Sequence, residues 1–542
     1  MNLLDLPYPS RRSPTVARRG VVATSQPLAV LAGLDILKAG GNAVDAAVAT
    51  AAMLSVVEPT SNGIGSDAFS LVWDGSRLHG LNGSGRAPAS LGVEVVRSAG
   101  HSSIPARGWM AVTIPGAPRA WSDLHGRFGR LPFERVLAPA IEAAEEGFAV
   151  TPIVAFNWER AATLQATLKG PEFAPWFDTF SIRGQAPSAG DSWRMPDHAW
   201  TLRRIAQSSG DDFYEGEIAQ KIAAFAAATG GFITRDDLAE HTSTWVDPIG
   251  TDYRDYSVWE IPPNGQGLTA LLALNILEGF DLATFPRESA LAYHLQIEAM
   301  KLAFADAHRY IADPEKVAVP TSGMLSKSYA AERRALIGDM ARAFEPGDPP
   351  KGGTVYLCTA DADGMMVSYI QSNYQGFGSG IVVPGTGIAL QNRGSAFRLD
   401  SAHPNVLAPR KRPYHTIIPA FLTRDGEPVG PFGVMGGHMQ PQGHVQMVLN
   451  TVDWHLNPQA SLDAPRWQVT TGKNVLVESG VSRQIVEDLI RRGHDVAVES
   501  DPGPFGRGQI IWRRAAWGAT DAGPGSLVAG SDMRADGFAA GY

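Results

Sequence analysis

The chain has 542 residues and a formal net charge of −9, and roughly 100–200 residues per domain leaves room for about three domains or one large decorated core. Hydrophobic residues at 44% and charged residues at 19% describe a folded globular protein, and 58 glycines and 38 prolines make it loop-rich. No Lys/Arg stripe of the kind a nucleic-acid face needs is present, the single Cys358 excludes an intramolecular disulfide framework and a multi-cysteine zinc site, and no apolar run reaches the roughly 18 residues of a membrane span.

Residues 1–20 carry three prolines and four arginines without an apolar stretch of signal-peptide length. The expectation is a flexible N-terminal tail on a soluble, cytoplasmic protein with no membrane or nucleic-acid partner. From Gln26 to Lys38 the pattern is helical, with Pro27 suited to a first turn and leucines at 28, 31, 34 and 37. A second helix runs from Asn42 to Val57, and being apolar on all faces it belongs in a core. Gly63-Ile64-Gly65 then turns into a strand at 69–73. Residues 114–148 read as helix, 160–250 as a less regular, peripheral helical region, and 268–277 and 291–311 as two further helices. The first half is thus α-rich to about residue 340.

Residues 344–353 hold three prolines and three glycines, which neither a helix nor a central strand tolerates. This is the sharpest boundary in the chain. Beyond it, two β-rich runs flank the Asp363-Gly364 turn as a hairpin, and the remainder alternates strands with helices such as 445–452.

Searches for a G-x-S-x-G elbow, a P-loop, a complete G-x-G-x-x-G fingerprint and an H-E-x-x-H pair all fail. His438 and His444, six apart around Pro441, are poorly spaced for a metal and read as structural or substrate-facing. No metal or cofactor is expected. What remains is Thr354, at the start of a strand after Gly352-Gly353. A threonine hydroxyl needs a base beside it. Cutting the chain just before the threonine supplies one, because the new α-amino group has a reference pKa of about 7.7–8.0. Gly-Gly-Thr alone equally describes an ordinary loop-to-strand junction.

The wider pattern goes further. It comprises Gly40-Gly41 with Asn42-Ala43-Val44-Asp45, Glu58-Pro59, Ile114-Pro115-Gly116, Pro262-Pro263, Asn275-Ile276-Leu277-Glu278, Phe304-Ala305-Asp306, Lys411-Arg412-Pro413, Gly436-Gly437 and Ala540-Gly541-Tyr542. In this order, from about residue 20 to the end, these motifs resemble the γ-glutamyltransferase family. The resemblance implies an α+β fold, the αββα sandwich of an N-terminal-nucleophile hydrolase, built as one composite domain of two chains. Self-cleavage between Gly353 and Thr354 would give a large α-rich subunit (21–353 after the tail) and a small β-rich one (354–542). Whether such heterodimers pair further is open. By the same resemblance Thr354 is nucleophile and base, Ser372 supports its amino group, and Gly436 and Gly437 form the oxyanion hole. Arg86 would grip a substrate carboxylate.

Several positions depart from the family. Where its pocket reads a γ-glutamyl ammonium with an acidic residue and a glutamine, this chain has Ala396 and Arg393. His415 and Thr416 replace two serines, and Tyr374 replaces an asparagine. These changes resemble the branch that contains oxamate amidohydrolases. The expected activity is hydrolysis of a small anionic amide, best exemplified by oxamate, through an acyl-threonine. Two alternatives stay open: a γ-glutamyltransferase or glutathione hydrolase using the same threonine, and an uncleaved paralogue acting as a binding protein.

Overall fold

The computed structural model describes residues 8, 12–344, 353–514 and 525–542. Helix α1 (Pro27–Lys38) starts where the Gln26 side chain accepts the Ala29 N–H and Pro27 occupies the first turn. Helix α2 (Ala43–Val57) opens with a reciprocal cap between Asn42 and Asp45 and is buried along its whole length, as its all-round apolar sequence requires. The stretch at 114–148 is two helices, α3 (Ala117–Phe128) and α4 (Phe133–Glu146). Gly129 and Pro132 interrupt it, and the freed Arg130 N–H turns to the Asp45 carboxylate. Helices α5 (Gly267–Leu277) and α6 (Ala290–Tyr310) follow, and α7 (Met439–Val452) lies late in the chain.

Fourteen strands form two seven-stranded antiparallel sheets. They are β1 (Thr15–Ala17), β2 (Val21–Thr24), β3 (Asp67–Trp73), β4 (Leu78–Gly83), β5 (Thr244–Val246), β6 (Ile249–Tyr253), β7 (Tyr256–Glu260), β8 (Gly353–Ala360), β9 (Met366–Tyr374), β10 (Ala420–Arg424), β11 (Glu427–Met435), β12 (Arg507–Arg514), β13 (Ser526–Ser531) and β14 (Ala539–Gly541). One sheet runs β1-β13-β12-β11-β10-β7-β6 and the other β14-β2-β8-β9-β3-β4-β5. An apolar layer including Phe69, Tyr356, Ile370, Phe421 and Ile511 lies between the sheets. One outer face is covered by α1 to α4 and the other by α5, α6 and α7. This is the expected αββα sandwich, each sheet buried on both faces.

Two expectations are corrected. The 1–20 tail does not extend that far, because Thr15–Ala17 pairs with 527–529 and Arg12 donates to the carbonyls of Asp532 (2.8 Å) and Ala535 (2.9 Å). Residues 1–7 and 9–11 of that expected tail lie outside the described residues. The region 160–250 is helical but ends in β5, which closes one sheet beside β4, while β6 from 249 onward opens the edge of the other. The proline-rich boundary at 345–352 lies outside the described residues.

Candidate active site

Thr354 is the second residue of β8 and is almost fully buried. The ladder to β9 slips by one residue here: Gly353 faces Tyr374 but Val355 faces Gln371. A bulge of this kind re-aims a side chain. It brings the Thr354 Oγ1 within 3.1 Å of the Ser372 Oγ. Ser372 in turn accepts the Tyr374 N–H at 2.8 Å, so the hydroxyl pair is fixed from the β9 side. The two residues named by the resemblance are therefore adjacent, in contact through their hydroxyls.

Across β9, Ser372 lies opposite Asp67 at the start of β3. The Asp67 carboxylate accepts the Gly85 N–H (3.1 Å) and meets His415 Nε2 at 3.0 Å. Because the Ile417 N–H donates to His415 Nδ1, the neutral ring carries its proton on Nε2 and donates it to Asp67. Burial, reinforced by Arg393 and Arg412, holds the His415 pKa well below the ordinary histidine range. Burial also pushes the Asp67 carboxyl up to about 7, with Arg393 the main opposing influence.

Arg393 is fully buried. Its Nη1 donates to the Thr416 hydroxyl at 2.6 Å, and its guanidinium lies 4.2 Å from the centroid of the Tyr374 ring, a cation–π contact. Its Nε and Nη2 have no hydrogen-bond partner among the described residues. Among the described residues it forms no ion pair. Burial lowers its pKa to about 10, against the pull of Tyr374 and Asp67, so it stays charged at neutral pH. Tyr374 itself has a left-handed backbone (φ 74°), and burial raises its phenol to about 12. Thus Tyr374, Arg393, His415 and Thr416, singled out in the sequence, do converge.

Gly436 (φ 128°) and Gly437 (φ 62°) form the turn from β11 into α7, a backbone path that side chains resist. Gln266, at the N-terminus of α5, ties this turn to its surroundings. Its Nε2 donates to the carbonyls of Gly437 (2.9 Å) and Thr416 (2.6 Å), and its Oε1 accepts the Tyr414 hydroxyl (2.9 Å).

Arg86 is placed differently from the expectation. Its Nη2 contacts both oxygens of Glu315 (2.8 and 2.7 Å), and Glu315 Oε1 also accepts from Arg412 Nη1 at 2.7 Å. Nη2 of the arginine expected to hold a substrate carboxylate is thus engaged within the protein, whereas Arg393 has two buried donors without a partner among the described residues. Asp67 and Gln266 went unnoticed in the sequence. Asp67 follows the recognised Gly63-Ile64-Gly65 turn by two residues, the only local signal it carried. A cavity of about 460 Å³ opens beside Tyr374, Ala396 and His438.

The γ-glutamyltranspeptidase family model matches residues 29–542. The chain belongs to this family, and it is an N-terminal-nucleophile amidohydrolase produced as a proenzyme. It is 37% identical to the glutathione hydrolase-like YwrD proenzyme of Bacillus subtilis, over 97% of this chain and 99% of that one. It is 34% identical to the oxamate amidohydrolase proenzyme of Klebsiella pneumoniae, over 98% and 100%. Among solved structures it resembles the cephalosporin acylase of Bacillus halodurans at 55% identity and a TM-score of 0.94, over 100% and 99%.

Proposed function

We propose that the enzyme hydrolyses amides whose acyl arm ends in a carboxylate and carries no ammonium. The observation that supports this reading is Arg393, a buried guanidinium with two unsatisfied donors and no carboxylate partner among the described residues. Leaving a buried donor unpaired costs about 1–3 kcal/mol, and a substrate carboxylate would satisfy both N–H groups in the planar fork that arginine offers. A γ-glutamyl ammonium would meet this cation with no acid at position 396. Oxamate is the shortest acyl group of the proposed class, and the names of the relatives span glutathione, oxamate and cephalosporin chemistry without choosing among them.

In this reading, cleavage between Gly353 and Thr354 frees the Thr354 amino group. That group takes the proton of Oγ1 as the oxygen attacks the amide carbon, and passes it to the leaving nitrogen as the C–N bond breaks. The N–H groups of the Gly436-Gly437 turn hold the tetrahedral oxyanion. Water then attacks the acyl-threonine ester, releasing the acid and restoring the hydroxyl. Ser372 positions Oγ1 throughout.

The test uses purified, processed enzyme with primary amides of increasing acyl length, from oxamate through malonamate and succinamate to glutaramate, alongside glutamine. The length with the highest kcat/KM measures the span from Thr354 to Arg393. Glutaramate is expected to exceed glutamine by at least about fivefold, equivalent to ~1 kcal/mol. Arg393→Gln with Ala396→Asp should reverse that order. If the unmodified enzyme prefers glutamine and ignores the four ammonium-free amides, it hydrolyses or transfers γ-glutamyl groups instead.

A further inference from the structure

The cavity beside the site has a chemical character that the acyl-carboxylate reading leaves unused. Its wall includes His308, Tyr374, Tyr414 and His438, with Arg398 at the exposed rim, and among the described residues no aspartate or glutamate lines it. His438 follows Gly437 directly and is 8% exposed, yet its Nδ1 has no hydrogen-bond partner among the described residues. Its ring stacks against Tyr414, with centroids 5.8 Å apart and planes 17° apart, and meets His308 edge-on at 5.6 Å. Burial, with His308 and the nearby arginines, keeps His438 neutral, so its ring offers a hydrogen bond rather than a charge. Arg398 has no ion-pair partner among the described residues.

A flat aromatic wall, an unpaired buried ring nitrogen and a free rim cation define a receptor for a planar group bearing an anion. The volume, about 460 Å³, falls within the roughly 300–1,000 Å³ usual for small-molecule sites and exceeds what an ammonia leaving group needs. Arg393 does not line the cavity; it lies against the Tyr374 ring and is fully buried. An amide has two halves. If its acyl carboxylate takes Arg393, the cavity is left for the amine.

We infer that this cavity is a leaving-group subsite for aromatic or otherwise planar amines that carry a carboxylate, with His438 as the hydrogen-bonding wall and Arg398 as the anion contact. The inference rests on the acyl assignment above for which half of the substrate it binds.

The test compares three substrates with one acyl group: glutaramate, glutaryl anilide and N-glutaryl-4-aminobenzoate. Each is assayed on the processed wild-type enzyme, His438→Phe and Arg398→Gln. Intrinsic leaving-group reactivity cancels when each variant's ratio of kcat/KM between two substrates is divided by the wild-type ratio. Phenylalanine keeps the ring and removes the hydrogen bond. The aminobenzoate-to-glutaramate ratio is expected to fall about tenfold in His438→Phe, chiefly through KM. Arg398→Gln should lower the aminobenzoate-to-anilide ratio about threefold to tenfold, and less in high salt. Equal losses on all three substrates would overturn the subsite and leave His438 a structural residue. The same comparison with γ-glutamyl anilide and γ-glutamyl-4-aminobenzoate separates the two readings. If only the γ-glutamyl series turns over yet shows these ratio changes, the acyl assignment fails and the amine subsite stands.

Discussion

A carboxyl group as deeply buried as Asp67 sets the charge of its surroundings by whether it holds a proton. Its pKa is about 7 because burial disfavours the anion more than Arg393 and the Gly85 N–H favour it. Below pH 7 the group is therefore mostly neutral, and the field of Arg393 is available to an incoming carboxylate. Above pH 7 the new Asp67 carboxylate offsets that field. The sign follows: an anionic ligand binds more weakly as pH rises, and bound anion in turn raises the Asp67 pKa. We predict that the inhibition constant of glutarate, a dicarboxylate without a scissile amide, increases about fivefold between pH 6 and 8.5. An inhibition constant avoids kcat, which in the proposed mechanism the Thr354 amino group would move in the same range. Asp67→Asn, whose Oδ1 can still accept the His415 proton, should flatten the profile. A slope that persists in the variant would place the titrating group elsewhere.

At the scale of elements, the site depends on how two chain segments end. The β8–β9 hairpin supplies Thr354 only because its ladder slips beside the threonine, and the β11-to-α7 turn supplies two N–H groups only because two glycines adopt positive φ. The two glycines are not equivalent. A Cβ on Gly436 would meet Gly506 Cα at 3.1 Å and Met439 Cβ at 3.3 Å, so Gly436→Ala should lower both thermal stability and kcat. For Gly437, valine at φ 62° forces the turn to change path. Gly437→Val should lower kcat on the order of 100- to 1,000-fold, the usual loss of an oxyanion donor. Near-normal kcat in Gly437→Val would remove the turn from the mechanism. Much of this level was legible in advance, because helix α2 and the hairpin each carry their own local signal and the glycine pair stands among the motifs that carry the family resemblance. Strands β5, β6 and β7 were not: β5 pairs with the distant β4, the β6–β7 hairpin joins its sheet through the distant β10, and their burial alternates weakly. Gln266 was invisible for a related reason: a buried glutamine acquires its role from three partners that sequence spacing cannot bring together. Arg86 shows the converse, a motif residue whose partner, Glu315, lies 229 positions away.

In the whole molecule, neither product of the proposed cleavage after Gly353 owns either seven-stranded sheet. The sheet β14-β2-β8-β9-β3-β4-β5 takes β2 to β5 from the first 353 residues and β8, β9 and β14 from the last 189. The other takes β1, β6 and β7 from the first part and β10 to β13 from the second. The interlayer core has the same mixed origin, with Phe69 and Leu71 packing among Tyr356, Ile370 and Phe421. Cleavage therefore cuts a covalent bond without creating two foldable units, and the subunits should co-elute until the fold itself melts. Thr354→Ala should leave one 57.8 kDa chain without activity; efficient cleavage in that variant would displace both the nucleophile and the processing site. The two forms must also unfold differently. The uncleaved variant yields one unfolded chain, so its denaturant midpoint is independent of protein concentration. The processed enzyme yields two, and mass action lowers its apparent stability by about 1.4 kcal/mol for each tenfold dilution. Unfolding monitored by tryptophan fluorescence at two concentrations tenfold apart measures the difference. A concentration-independent midpoint in fully cleaved enzyme would mean that one subunit keeps its structure alone, contrary to sheets shared strand by strand between them.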